Sequence, residues 1–543
     1  MKLKTRKIIL LLFIANCSLQ IAVSQPTQEW VRRFNSSNSN TYGEDIKADA
    51  NGNIYVLCAA QNPGNNGDFG VIKYNSNGDL LWQRFYNSPS NHTEGPNAFD
   101  VAPNGDVYIT GYSGINFDYD MVTVKYNSDG IFQWDKFFID AGGFDLKIDS
   151  QGCIIIIGVF ASNNFVRALT VKYNSNGDTL WTRKFDALPQ QSENNHLALD
   201  NFDNIYTVAD YGNTSADYLI TKFNPNGSLI WYTLYNSPQN YSDIPQKIVL
   251  DSIGNLYVVG SNNVPFSSSN NTLLKLNNNG TIIWSSIFAG IIPGNGRCQT
   301  PKGITCSPSG SEIYYTTYCA NGTGGGGTDI VTLKYNSSGD TQWVRRYWGG
   351  VNAEVNLPND IELDKFGNIY VTGKAVNPVS GNDYICIKYN TNGAQQWAVT
   401  YNGITSNSDD GIAGMYIDTN INVYVSGTSH NGTYNEVATI KYSQPLGISN
   451  YNGQIPVNSV LYQNYPNPFN PLTKIQFQVY QNSNVKLAIY DIAGKEVMVL
   501  NNGIKKAGIY EINFNGENFP SGVYFYKMIT SNYSETKKMI LIK

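Results

Sequence analysis

Short apolar segments separated by Gly, Asn and Asp recur along the chain from about residue 25 to about residue 443. β-branched and aromatic residues fill the segments, and none shows the spacing of an amphipathic helix. Residues 95–138 illustrate one unit, with predicted strands at Asn97–Ala102, Asp106–Gly111, Asp120–Asn127 and Ile131–Phe138. The pattern therefore predicts an all-β fold built from repeated units of four short strands.

Two residue types mark the repeat at a spacing of about 50 residues. A tryptophan stands in the fourth strand of each unit: Trp30, Trp82, Trp134, Trp181, Trp231, Trp284, Trp343 and Trp397. A lysine stands in the third strand: Lys73, Lys125, Lys172, Lys222, Lys275, Lys334, Lys388 and Lys441. Four-stranded units of 40–55 residues are typical of β-propeller blades, and eight markers predict eight blades. Seven blades are the alternative, because the unit around Gly152–Ile154 is weak.

The two ends of the repeat predict how the propeller closes. Trp30 belongs to a fourth strand with no unit before it, whereas the unit ending at Lys441–Tyr442 is followed by Pro445 and no tryptophan strand. An N-terminal outer strand would complete the last blade. Closure of this kind removes the unpaired backbone groups of two free edges.

The repeat resembles known propeller families. Seven of the tryptophans follow a glycine by four residues, as in Gly78 and Trp82, and this spacing resembles the tryptophan-docking motif of eight-bladed quinoprotein propellers. The Gly-Asn-Ile-Tyr-Val segments at 52–56 and 367–371 are similar to SBBP-type and NHL-type repeats. The resemblance implies a tryptophan wedged between blades against a glycine. Quinoproteins hold their cofactor with a vicinal cysteine pair, which this sequence lacks, so neither a cofactor nor a catalytic residue is predicted.

The N-terminus predicts export. A basic start that includes Lys2 and Arg6 precedes an apolar run over Ile8–Ile14, and small residues at Ala22–Ser24 suit signal peptidase. We therefore expect a signal peptide over residues 1–24. No later segment holds about 18 consecutive apolar residues, so no transmembrane segment is expected in the mature chain.

The C-terminal residues depart from the repeat. Residues 444–460 are expected to form a linker between the propeller, residues 25–443, and a small domain over residues 461–543. The segments Leu461–Pro471, Val485–Lys495, Ser521–Tyr526 and Lys538–Lys543 closely resemble the type A C-terminal sorting domain of the type IX secretion system. The resemblance implies an immunoglobulin-like β-sandwich that the export machinery recognises, and a product that is secreted or attached to the outer-membrane surface.

Charge and cysteine content exclude several classes of function. Without the four basic residues of the signal peptide, 33 basic residues face 42 acidic ones, a net charge of −9. The last 83 residues carry +4, which leaves −13 on the remainder and disfavours nucleic acid and anionic membranes as partners. No Cys-x-x-Cys occurs, so no metal cluster is predicted. Cys298 and Cys319 could form a disulfide or remain buried thiols.

The longer connections, from fourth to first strands and from second to third strands, are expected on one face, where binding sites usually lie. Candidate binding residues there are Tyr42, His92, Tyr241, Trp348 and Tyr434. No catalytic motif appears. Asp409–Asp410 and Glu94 could supply a glycosidase carboxylate pair, but no pattern brings them together. The sequence favours a surface or secreted binding module for glycan or protein. A polysaccharide hydrolase or lyase and a structural surface-layer component are the alternatives.

Overall fold

The computed structural model describes the greater part of the chain after the predicted signal peptide. The described residues are 25–36, 39–61, 67–89, 92–115, 118–162, 165–184, 196–212, 216–238, 240, 242–264, 268–290, 298–320, 327–349, 355–377, 381–405, 408–444, 459–505 and 508–543. Residues 1–24 and residues 445–458 of the predicted linker lie outside this part.

Strands and turns make up the described residues, and no helix occurs among them, which confirms the all-β prediction. Seven antiparallel sheets each use four consecutive strands. Sheet I contains β2 (Thr41–Ala48), β3 (Ile54–Ala60), β4 (Asp68–Tyr74) and β5 (Leu80–Tyr86), and follows β1 (Thr27–Phe34) along the chain. Sheet II contains β6 (Thr93–Val101), β7 (Val107–Ile115), β8 (Asp118–Tyr126) and β9 (Phe132–Phe138). Sheet III contains β10 (Ala141–Ile148), β11 (Ile154–Ser162), β12 (Phe165–Tyr173) and β13 (Thr179–Lys184).

The next four sheets repeat the same order of strands. Sheet IV contains β14 (His196–Leu199), β15 (Ile205–Tyr211), β16 (Asp217–Phe223) and β17 (Leu229–Tyr235). Sheet V contains β18 (Ser242–Leu250), β19 (Leu256–Val264), β20 (Ser268–Leu276) and β21 (Ile282–Phe288). Sheet VI contains β22 (Gly303–Cys306), β23 (Glu312–Ala320), β24 (Thr328–Asn336) and β25 (Thr341–Tyr347). Sheet VII contains β26 (Leu357–Leu363), β27 (Ile369–Asn377), β28 (Gly381–Tyr389) and β29 (Gln395–Tyr401), with the short β30 (Ser408–Asp409) beside β28.

Sheet VIII joins the two ends of the repeat. It contains β31 (Gly411–Ile417), β32 (Val423–His430) and β33 (Asn435–Ser443), and its fourth strand is β1. β1 runs antiparallel to β33 and pairs Trp30 with Lys441 and Phe34 with Val437. The limits of the strands in the second unit differ from the predicted limits by at most four residues, and β9 ends at Phe138 as predicted.

The first strands of the eight sheets lie side by side in a ring. Each contacts the next in the order β2, β6, β10, β14, β18, β22, β26 and β31, and β31 contacts β2. Apolar clusters fill the spaces between neighbouring sheets; Tyr55 and Leu57 of sheet I, for example, pack with Phe99 and Val122 of sheet II. Four-stranded sheets packed face to face around an axis form a β-propeller.

Each tryptophan of a fourth strand contacts the next sheet. Trp82 of sheet I donates its indole N–H to the Ser128 carbonyl of sheet II, at 3.0 Å, and Lys73 donates to the same carbonyl at 2.9 Å. Gly130, two residues on, has a positive φ of 73°, and a Cβ added there would lie 2.8 Å from the Trp82 ring. The repeat therefore requires glycine here for two reasons: the turn needs a positive φ, and the tryptophan ring leaves no room for a Cβ atom.

The same contact recurs around the propeller. The tryptophan and glycine pairs are Trp30 with Gly78, Trp82 with Gly130, Trp134 with Gly177, Trp181 with Gly227, Trp231 with Gly280, Trp284 with Gly339, and Trp343 with Gly393. At the junction of sheets VII and VIII, where the chain ends would leave a gap, Gln444 replaces the turn. Its amide donates to the Tyr370 hydroxyl at 2.7 Å and to the Ile421 carbonyl at 2.8 Å, and it accepts from Lys388.

Cys298 and Cys319 form a disulfide, which decides between the two alternatives that the sequence leaves open. Cys319 lies in β23, whereas Cys298 lies in the connection between sheets V and VI. The disulfide therefore attaches this long connection to the body of sheet VI. The other described cysteines, Cys58, Cys153 and Cys306 among them, are free thiols.

We expect replacement of both bonded cysteines by alanine to lower the free energy of unfolding. Closing a loop of about 20 residues is worth about 3 kcal/mol in the chain-entropy account of disulfides. Urea unfolding with and without reductant measures the effect, and reductant should destabilise the native protein but leave the Cys298→Ala/Cys319→Ala variant unchanged. An unfolding midpoint of the native protein that does not respond to reductant would contradict the prediction.

The C-terminal strands form a separate β-sandwich. One sheet contains β34 (Val460–Leu461), β35 (Leu472–Val479) and β38 (Gly508–Asn515). The other contains β36 (Ser483–Tyr490), β37 (Glu496–Lys505), β39 (Gly522–Ile529) and β40 (Ser534–Leu541). Alternate residues of both sheets, such as Phe477 and Leu487, enter one shared core, as expected of two sheets packed face to face.

Candidate functional site: the axial channel

The ring of first strands surrounds the axis of the propeller, and a shared irregularity sets the direction of its side chains. A β-bulge interrupts the first strand at the same place in six sheets. The bulged residues are Glu44, Asn97, Phe144, Gln246, Asn359 and Ala413. Asn97 and Asn359 donate to carbonyls of the next sheet, those of Gly143 and Ala413 respectively, so the bulges also connect neighbouring blades.

The register after the bulge arranges the wall of the channel in two tiers. The upper tier contains Asp45, Ala98, Asp145, His196, Lys247, Gly303, Asp360 and Gly414; each pairs with the fourth residue of the second strand, except Gly303, which pairs with the fifth because β23 begins one residue earlier. The lower tier, two residues on, contains Lys47, Asp100, Lys147, Ala198, Val249, Thr305, Glu362 and Tyr416. Because side chains alternate along a strand, each tier presents one level of the wall.

Lys47 lies at the centre of the acidic side of the channel. Its Nζ is 3.9 Å from Asp45 Oδ2 and 4.0 Å from Asp100 Oδ1 of the neighbouring sheet. Burial by itself would lower the pKa of Lys47, but Asp45, Asp100, Asp145 and Glu362 raise it above its ordinary value. These carboxylates come from sheets I, II, III and VII. These four carboxylates therefore lie close enough to Lys47 to influence its pKa.

His196 and Asp145 form a hydrogen-bonded pair between sheets III and IV. Nδ1 of His196 is 3.5 Å from Asp145 Oδ2, which also accepts the Leu197 N–H at 3.0 Å. Burial, together with the charge of Lys247, lowers the pKa of His196 to about 4, so the imidazole is neutral at pH 7. Burial would raise the pKa of Asp145, but its hydrogen bond with His196 and the nearby Lys147 lower it instead. The pair is therefore a carboxylate beside a neutral imidazole.

Two acidic residues of sheet VII lie within range of each other. Burial, together with the charge of the adjacent Asp360, raises the pKa of Glu362 to about 8. Burial likewise raises the pKa of Asp360. At neutral pH Glu362 is therefore largely protonated, and its carboxyl group can both donate and accept a hydrogen bond.

The opposite side of the channel is basic. Lys247 follows the bulge of β18, and Lys302 lies immediately before β22 in the neighbouring sheet. Burial lowers the pKa of Lys302, and the positive charge of Lys247 lowers it further. Lys147 of sheet III adds a third ammonium group, and its charge acts on Asp145 of the same strand.

Channel side chains are enclosed by protein yet keep contact with water. The exposed fractions of the side chains are 27% for Lys47, 38% for Asp45, 22% for Asp100, 17% for Asp145 and 22% for His196. Partial exposure combined with strong desolvation is what the wall of a narrow, water-filled channel produces. A small polar ligand could therefore reach these groups from the solvent.

Four of the five candidate residues of the loop face lie at or beside the ends of strands. Tyr42 lies at the start of β2, His92 directly before β6, Trp348 directly after β25 and Tyr434 directly before β33. Trp348 is 51% exposed. Tyr241 lies outside the described residues. The four described residues belong to sheets I, II, VI and VIII, and their part in binding stays a prediction.

The carboxylates considered for catalysis hold connections in place. Glu94 is buried in sheet II and accepts a hydrogen bond from the Ser113 hydroxyl at 2.8 Å. Asp410 is buried before β31 and accepts the Gly403 and His430 backbone N–H groups at 2.8 and 3.0 Å. Such contacts fix the connections that enter and leave the first strand, and a structural role explains both residues.

A cavity of about 680 Å³ also lies on the outer rim, between sheets I and II. Its wall includes Tyr86, Tyr126, Phe132 and Asp135. The Tyr86 hydroxyl already donates to Asp135 at 2.6 Å, so this carboxylate is occupied by the protein itself. The channel presents far more polar groups for recognition than this cavity.

The channel residues are not predicted from the sequence, because the repeat is marked by other positions, those that keep their identity from unit to unit. The first strand has a constant apolar position, such as Ile46 or Ile361, flanked by positions whose charge changes from unit to unit. Charged residues such as Asp45, Lys147 and Glu362 within strands expected to be buried were the available signal.

Comparison with known proteins identifies the C-terminal part. Residues 463–543 match the family model of the secretion system C-terminal sorting domain. Among curated protein sequences, none matches this chain. The tail directs export by the type IX secretion system, and the protein is secreted or attached to the outer-membrane surface. No helix in the described part of the chain is long and apolar enough to cross a membrane.

Solved structures with a similar arrangement share little sequence with the chain. The Dos1 propeller is 12% identical at a TM-score of 0.47, covering 77% of this chain and 95% of its own. A polysaccharide lyase of family PL25, an ulvan lyase bound to -[GlcA(1-4)Rha3S]-, is 12% identical at a TM-score of 0.42. The match covers 62% of this chain and 90% of the lyase. A fungal alcohol oxidase of the AA5 family, in complex with copper, is 12% identical at a TM-score of 0.39. The match covers 96% of this chain and 100% of the oxidase. At these scores the similarity carries no argument about activity.

The described residues contain no group of three or more His, Cys, Asp or Glu side chains arranged to hold a metal ion.

Proposed function

We propose that this protein is a binding module of the cell surface or its surroundings, an eight-bladed propeller that takes a polar ligand, glycan or protein, at its axial channel. The sorting domain delivers it there. The channel selects the ligand, and the aromatic residues of the loop face, Trp348 and Tyr434 among them, extend the contact at the channel mouth.

The blade count and the closure belong to this proposal. Eight sheets that contact one another in a ring support eight blades, and the pairing of β1 with β33 supports closure by the N-terminal strand. We also propose the domain limits: a signal peptide over 1–24, the propeller over 25–443, a linker over 444–460 and an immunoglobulin-like sorting domain over 461–543.

The two-tier charged wall is the observation that carries the proposal. Removing charged groups from water is costly, and placing like charges side by side adds to that cost. Yet Asp360 raises the proton affinity of Glu362, Asp45 raises that of Asp360, and Lys247 disfavours the charge of Lys302. Perturbed groups concentrated in a concave, solvent-accessible site are a general mark of function.

The first experiment screens the mature chain, residues 25–543, on glycan and polysaccharide arrays and against extracellular proteins, with divalent ions and with chelator. We expect saturable binding. The Asp360→Asn/Glu362→Gln variant should weaken it at least tenfold, because two channel hydrogen-bond groups change. Trp348→Ala should weaken it less, because this residue lies at the rim.

Thermal unfolding of each variant provides the control. If the protein binds nothing, and the Asp360→Asn/Glu362→Gln variant is simply more stable, the wall is structural and the binding proposal fails. The surface-layer alternative then predicts self-association of the mature chain, which sedimentation measures. Depolymerisation of a bound polysaccharide would instead favour the hydrolase or lyase alternative.

A further inference from the structure

Three lysines make the basic side of the channel, and they differ from the lysines of the repeat. Each repeat lysine meets an acceptor; Lys125, for example, donates to the Ser175 carbonyl at 3.0 Å and pairs with Asp106 at 2.9 Å. Lys147, Lys247 and Lys302 form no ion pair within 4.0 Å among the described residues. The three ammonium groups therefore have no carboxylate of the described residues within 4.0 Å, although the charges of Lys147 and Lys247 reach Asp145 and that of Lys247 also reaches Asp360.

The electrostatics of this wall favour an incoming anion. The charge of Lys247 lowers the pKa of Lys302 and of His196, so adding positive charge here is unfavourable. An anion placed between the lysines relieves that repulsion. In a partly desolvated site, each such contact is stronger than on an open surface.

Hydrogen-bonding groups surround the lysines. Since His196 is neutral and its Nδ1 faces Asp145, the Nδ1–H donates to that carboxylate and Nε2 is left as an acceptor. Across the channel, Glu362 is protonated at neutral pH and, with Asp360, can accept from and donate to hydroxyl groups. A ligand that satisfies both sides carries an anionic group at one end and hydroxyl groups at the other.

We propose that the channel binds acidic saccharides, with the carboxylate or sulfate group of the sugar held by Lys247, Lys302 and Lys147 and its hydroxyl groups held by His196, Asp360 and Glu362. This inference rests on the proposed function and names its ligand class. The net charge of −13 on the propeller and linker argues against long polyanions that would contact the whole surface. We therefore expect the anionic group to be bound within the channel and not by the outer surface.

Isothermal titration of the mature chain with oligosaccharides of equal length tests the inference. An oligouronate, a sulfated oligosaccharide and a neutral oligosaccharide serve as probes. We expect the acidic probes to bind at least tenfold more tightly than the neutral one, with affinity falling as salt increases. A preference for the oligouronate assigns a carboxylate ligand, and a preference for the sulfated probe assigns a sulfate ligand.

The variants Lys247→Met and Lys302→Met should each weaken binding of the preferred acidic probe about tenfold or more. Lys247→Arg keeps the positive charge and should restore much of the affinity. Lys365→Met, which removes an exposed lysine at the opposite rim, is the matched control and should bind as the native protein does. Unfolding midpoints close to the native value establish that the variants are folded.

The outcomes separate this inference from the proposed function. Equal binding of neutral and acidic probes, unaffected by Lys247→Met but lost in Asp360→Asn/Glu362→Gln, overturns the acidic-saccharide inference and leaves the channel as a binding site. No binding of any probe or array ligand by the folded protein overturns both.

Discussion

A chain that lacks residues 461–543 is not exported across the outer membrane and accumulates in the periplasm. The expected effect is all or none, because residues 463–543 match the sorting domain by which the secretion system selects its cargo. Cell fractionation and digestion of surface protein by added protease on intact cells measure it. A reporter that carries the signal peptide and residues 444–543 should be exported in the reverse experiment.

A single core substitution should reproduce the deletion if recognition requires the folded sandwich. Leu487 is fully buried between the two sheets of the tail, and burying an aspartate there costs several kcal/mol, comparable with the whole stability of a domain of this size. We expect Leu487→Asp to block export. Lys495→Ser, in the exposed turn after β36, is the matched control and should be exported. Surface display of the truncated chain would show that the tail is dispensable.

Gly280→Ala destabilises the propeller far more than Gly52→Ala. Both glycines have nearly the same backbone conformation, with φ of 79° and 77°. An alanine pays about 1–2 kcal/mol in this left-handed region at either position. At Gly52 the added Cβ meets nothing within 4 Å, whereas at Gly280 it would lie 2.6 Å from the Trp231 ring. Displacing a packed ring adds about 1–3 kcal/mol.

Urea unfolding of the two variants measures the difference, which isolates the tryptophan contact from the backbone conformation. We expect a total loss of about 2–5 kcal/mol at Gly280 and about 1–2 kcal/mol at Gly52. Intrinsic fluorescence should also change only in Gly280→Ala, because only that substitution moves an indole. Equal losses in the two variants would mean that the tryptophan contact contributes nothing to the stability of the junction between sheets IV and V.

The architecture follows closely from the sequence because its signals are local or periodic. Strand limits depend on runs of apolar residues and on Asn-Gly turns, and the tryptophan, glycine and lysine positions repeat once per unit. The contact of Trp82 with Gly130 was expected from the resemblance to the tryptophan-docking motif, and it recurs because successive units meet in the same way. The tail is also a matter of local pattern, because its motifs occur in fixed order within 83 residues.

The candidate site could not be predicted from the sequence, because its residues keep neither a constant spacing nor a constant identity from unit to unit. Asp145 and His196 are adjacent only because two first strands lie side by side. Likewise, the charge of Glu362 influences the pKa of Lys47, although the two residues are about 315 positions apart in the chain. A bulge of one residue decides which side chains face the axis, and no sequence pattern announced it.

By itself, the sequence determined a repeated all-β fold, its marker residues and its route of export, since apolar periodicity and turn chemistry act within a few residues of one another. Only the tertiary structure decided that Cys298 bonds to Cys319, that Gln444 fills the junction beside Tyr370, and that Lys247 of one sheet lies close enough to Lys302 of the next to lower its pKa. The physical reason is closure: a ring brings together residues that are remote in the chain, and their electrostatic interactions exist only once it has formed.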